Sequence, residues 1–113
     1  GFSMGGRGTW YMATRHADFF TGAIAMAASR GDDSLDGLGV MPVYIIHSPD
    51  DEVVPYGPAE ETTQLLAERG HPVQMIRLAG ASHHMMGDYI TPLRAAGEWM
   101  KEQWQAREVE VGR

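Results

Sequence analysis

The chain has 113 residues, a net charge of -6, 43% hydrophobic and 21% charged residues, and no cysteine. That is room for one small domain with a core, and it removes disulfides, thiolate nucleophiles and Cys-ligated zinc. No Lys/Arg cluster offers a surface to nucleic acid or an anionic membrane, and no apolar run is long enough to span a bilayer.

In chain order, a glycine-dense opening, Gly1 to Gly8, runs into a stretch without breakers, which predicts a helix from about Gly5 to about His16. Phe19 to Ala28 is small and apolar and predicts a short buried strand within it. Ser29 to Gly39, rich in Gly and Asp, reads as loop. Val43 to His47 is a β-branched and aromatic run, hence a strand, broken by Ser48-Pro49-Asp50-Asp51. Ala59 to Arg69 predicts an amphipathic helix with Leu65 and Leu66 inward, closed by Gly70. Val73 to Leu78 predicts another strand, Ala79 to His84 a loop, and Asp88 to Gln105 a final helix. That helix offers Tyr89, Leu93, Trp99 and Met100 to the core, with a frayed charged tail after Gln105. Strands alternating with helices imply an α/β fold with a mostly parallel sheet.

Three segments carry chemistry. Gly1-Phe2-Ser3-Met4-Gly5 fits G-x-S-x-G, in which a serine sits on a tight strand-to-helix turn. Its neighbours two residues away must be nearly free of side chain, and the following helix aims its N-terminus, including the Met4 N–H, at a developing oxyanion. His47 to Pro55 follows a strand and supplies acids that can orient a histidine. Gly80-Ala81-Ser82-His83-His84 follows the next strand and supplies histidine, the usual general base for a serine. Each piece alone also fits a plain surface loop. Together they run in the order serine, acid, histidine, which is the α/β-hydrolase order.

On these residues the chain resembles the dienelactone-hydrolase and predicted-peptidase-like α/β-hydrolases and their esterase relatives. The elbow continuation Gly5-Gly6-Arg7-Gly8-Thr9-Trp10 is similar. His47 to Pro55 resembles the family's H-G-x-x-D-x-x-V-P segment, with Ser48 where Gly is usual, and Gly80 to His83 resembles its G-x-x-H. The resemblance implies a three-layer α/β-hydrolase fold from the nucleophile elbow onward. It also implies a nucleophile at Ser3, an acid at Asp51 with Asp50 and Glu52 as lesser choices, and a base at His83 rather than His84. Half of an oxyanion hole comes from Met4. A small-molecule ester or peptide is the implied substrate, with no cofactor and no metal. A metal site from His47, His83, His84 and Asp51 lacks any H-E-x-x-H spacing.

His16 and His71 read as surface residues, and His47 as the maker of a structural hydrogen bond. Met85 and Met86 suit either a pocket or the core. Residues 1–113 are expected to be a single partial domain whose earlier strands, with any signal peptide, precede Gly1. Compartment stays open, cytoplasmic by default. Such a chain would leave a sheet edge open to self-association and Trp10 and Met12 partly uncovered. The alternative to a hydrolase is a non-catalytic segment, or a binding module on the same scaffold.

Overall fold

A computed structural model describes the backbone of residues 1–111 and the side chains of residues 1–108. Three strands, β1 (Ala23–Met26), β2 (Val43–His47) and β3 (Val73–Arg77), form a parallel sheet in the order β1-β2-β3. The register sets Ala23 beside Val43 and Val43 beside Val73, so the three strands start level, and β2 and β3 also end level, with His47 opposite Arg77.

The layers follow from side-chain alternation along each strand. Ala23, Ala25, Val43 and Ile45 face one core, where Trp10 and Ala13 of α1 (Met4–Arg15) and Ala59 and Leu66 of α2 (Gly57–Glu68) pack. Met26, Tyr44 and Ile46 face the other, against Ala96 and Met100 of α3 (Ile90–Val111). All five β2 residues are buried, as a strand covered on both faces requires. The result is a three-layer α/β sandwich.

Several expectations need correction. The final helix does not fray after Gln105 but runs on to Val111; the last two residues of the expected tail lie outside the described residues. Its outer turns are built from good helix formers, and the Trp104 indole N–H ties it to the Thr21 carbonyl at 2.7 Å. Leu93 is exposed rather than in the core. Met85 and Met86 are exposed, which removes the core option and leaves the pocket one. His71 is half-buried and bonds the Met41 carbonyl at 2.5 Å. Trp10 is buried, because Leu35 and Leu38 of a short turn inside the Ser29–Gly39 loop cap it, whereas Met12 is indeed exposed.

The edge of β1 is partly taken. Gly1 to Ser3 lies parallel to it, with the Met26 N–H donating to the Gly1 carbonyl at 2.9 Å and the Ser3 N–H to the Met26 carbonyl at 2.8 Å. Beside this short pairing, Met12, Phe19, Phe20, Leu93 and Trp104 line an open apolar groove of about 740 Å³.

Candidate active site

Ser3 stands between the Gly1–Ser3 extension and α1 with φ 57° and ψ -117°, a left-handed backbone that a non-glycine residue adopts only under constraint. The constraint is visible. The Ser3 N–H is bonded to β1, while its carbonyl already accepts from the Arg7 N–H in the helix at 2.9 Å. Gly1 is required there: a Cβ on it would lie 2.2 Å from the Gly5 carbonyl oxygen. The second crowded glycine is not Gly5, as the motif suggested, but Gly6. A Cβ on Gly5 meets open space, whereas one on Gly6 would lie 2.6 Å from the Ala28 Cβ and 2.8 Å from the Met26 carbonyl oxygen. The Met4 N–H, first in the helix, has no intrahelical acceptor.

The loops after β2 and β3 meet this turn. His83 Nε2 lies 2.8 Å from Ser3 Oγ, and His83 Nδ1 lies 2.8 Å from Asp51 Oδ2. An ionised carboxylate only accepts, so Nδ1 carries the hydrogen and Nε2 is left to accept from the serine hydroxyl. His83 is 7% exposed, and the Asp51 side chain is fully buried. The Phe2 ring lies 5.5 Å from the His83 ring and meets the buried Tyr89 edge-on at 5.0 Å, so the imidazole has an aromatic backing.

The donors around Asp51 favour its charged form. Burial alone would push its carboxyl up; hydrogen bonds from the Val54 N–H at 2.7 Å, from His83 and from the Val53 N–H at 2.8 Å outweigh that and hold it below its ordinary value. Both backbone donors fall on Oδ1, leaving Oδ2 for His83. His47, fully buried, bonds the Val54 carbonyl through Nε2 at 2.9 Å and closes the loop that presents Asp51. Ser48, at the position where the resembled segment has Gly, is buried, and its Oγ accepts from the Asp50 N–H at 3.0 Å.

Ser3, Asp51 and His83 are therefore brought into one hydrogen-bonded chain, with the Met4 N–H beside it. His84, three-quarters exposed, is not part of it. Among the described residues no three His, Asp or Glu side chains converge to hold a metal ion. The sequence reading passed over the aromatic backing by Phe2 and Tyr89, and it weighed Asp50 and Glu52 only as rivals of Asp51.

No protein-family model and no curated protein sequence matches the chain. Among solved structures, a thermostable esterase superposes on 90% of the chain with a TM-score of 0.78 and 27% identity. Esterase PE8 superposes on 90% of it with a TM-score of 0.63 and 22% identity. The fold is the α/β-hydrolase fold. The chain spans 29% of the length of the first esterase and 47% of the second. Ser3 stands on a strand-to-helix turn, Asp51 follows β2 and His83 follows β3, all at the carboxyl edge where open α/β sheets bind ligands.

Proposed function

We propose that this chain carries the acyl-transfer site of a serine hydrolase, with Ser3 as nucleophile, His83 as general base and Asp51 as the acid that orients it. The single observation behind the reading is the pair of 2.8 Å contacts linking Ser3 Oγ to His83 and His83 to the buried Asp51. A serine hydroxyl is a weak nucleophile until a base takes its proton as it attacks. Ser3 Oγ adds to the substrate carbonyl and His83 Nε2 takes its proton. The Met4 N–H and the α1 dipole stabilise the oxyanion. The tetrahedral adduct collapses, and the leaving alcohol or amine takes the proton back from His83. Water then repeats the sequence on the acyl-Ser3 ester and releases the acid.

The substrate we propose is a carboxylic ester ahead of a peptide, as the name of the 27% identical thermostable esterase suggests. The resemblance to dienelactone hydrolases and predicted peptidases belongs to the same reading. Met4, next to Ser3, and Met85 and Met86, just past His83, are all exposed, which suits an uncharged, apolar acyl group. A fluorophosphonate probe should label Ser3, and Ser3→Ala should abolish labelling. Labelling that survives Ser3→Ala overturns the assignment. A chain that is never labelled favours the non-catalytic alternative.

A further inference from the structure

Three consecutive acids, Asp50, Asp51 and Glu52, leave the end of β2, and each reaches across to the loop after β3. Asp50 Oδ2 accepts from the Gly80 N–H at 2.6 Å. Asp51 takes the His83 ring. Glu52 Oε1 accepts from the Ser82 hydroxyl at 2.8 Å, and its Oε2 from the His83 backbone N–H at 3.4 Å. The loop from Gly80 to His83 is thus held at its first residue, at its last backbone N–H and at the imidazole, each time by a carboxylate. Gly80 has φ 83°, a left-handed turn that redirects the chain after it towards Ser82 and His83.

We propose that Asp50 and Glu52 are positioning residues for His83, clamping the loop so that Nε2 stays within hydrogen-bond reach of Ser3. The physical need is plain. His83 lies in a loop with no regular secondary structure, and Phe2 backs only one face of its ring. Asp51 can fix the ring's rotation but not the backbone that carries it. A base displaced by about 1 Å loses about a hundredfold in rate. Charge-assisted bonds to backbone N–H groups are among the stronger ones available to a partly solvated loop. The roles divide: Asp50 sets where the loop begins, Glu52 sets where His83 sits along it, and Asp51 sets the tautomer. The proposal rests on His83 being the general base.

The test uses the full protein and two readouts. The first is exchange with water of the His83 Nδ1 proton, followed by NMR, in Asp50→Ala and Glu52→Ala. It should quicken about tenfold in each, the size expected from losing one charge-assisted hydrogen bond. Ile45 and Ile46 amides in β2 should exchange as before. Asp50→Asn and Glu52→Gln, which keep an acceptor oxygen, should restore most of the protection and serve if an alanine variant does not fold. Ring exchange within twofold of wild type in both alanine variants overturns the clamp, as does parallel quickening of the β2 amides. The second readout is Ser3 labelling by a fluorophosphonate in His83→Ala. Labelling that survives there overturns the base role of His83, a result distinct from unchanged ring exchange.

Discussion

Asp51→Asn is the substitution whose outcome the geometry constrains most. Two backbone N–H groups, of Val53 and Val54, point at Oδ1 at 2.8 and 2.7 Å. Only an oxygen can accept both, so the new amide must place its oxygen there and its NH2 where Oδ2 stood. That NH2 then faces His83 Nδ1 at 2.8 Å and His47 Nε2 at 3.5 Å. Two donors cannot share that contact, so His83 moves its hydrogen to Nε2 and accepts through Nδ1. An Nε2 carrying hydrogen cannot take the Ser3 proton. Wrong-tautomer variants of this kind lose about 10⁴ in rate with their geometry intact, which is about 5.4 kcal/mol at 1.36 kcal/mol per decade. The assay is the second-order rate of Ser3 labelling by a fluorophosphonate, with circular dichroism to verify the fold. Asp50→Asn is the control, since its amide oxygen still accepts from Gly80, and it should change the rate by less than about tenfold. A loss below tenfold in Asp51→Asn, or equal losses in both variants, would refute the reasoning.

His83→Ala should lower labelling by several orders of magnitude, while the same change at the exposed His84 should leave it within about twofold; the reverse would mean the base is misassigned. Gly6→Ala should destabilise the fold by about 1–3 kcal/mol in urea unfolding, because the Ala28 Cβ and the Met26 carbonyl stand where the new methyl must go. Gly5→Ala, into open space, should not. Asp33 is buried and accepts from Arg7 and, at 2.5 Å, from Arg15, so Asp33→Ala should cost about 1–2 kcal/mol, the arginines being partly solvated. Burial would raise the Asp33 carboxyl, but hydrogen bonds from Arg15 and Arg7 outweigh it and hold it, like Asp51, below the ordinary 3.8. Unfolded aspartates therefore bind protons first. The stability these two supply is full above that value and is lost as pH falls through their lowered folded values, and acid titrations of Asp33→Ala should show a shallower loss.

The sequence by itself determined the elements and the candidate chemistry. β-branched runs demanded strands at β2 and β3, the glycine-flanked serine demanded a tight turn, and chain order set serine, acid and histidine on three separate loops. Those signals are local, because apolar periodicity and turn stereochemistry are written in neighbouring residues. Offsets within the resembled motifs favoured Asp51 over its two neighbours and His83 over His84. Only the tertiary structure decided how they meet, since adjacent loop residues point in different directions. It takes the level ends of β2 and β3, the two N–H groups on Asp51 Oδ1 and the ring of Phe2 to bring one acid and one imidazole into line. The same holds for the packing. Gly6 rather than Gly5 proved to be the crowded glycine, because its constraint comes from Ala28, more than twenty positions away. Trp10 is covered by Leu35 and Leu38, inside a stretch whose Gly and Asp content read as loop. Asp50 and Glu52, rivals of Asp51 in the sequence, bind other atoms of the histidine loop. Contacts of this kind join segments about thirty residues apart, and they depend on which way a loop turns after its strand ends, a choice made by the whole fold rather than by any short run of residues.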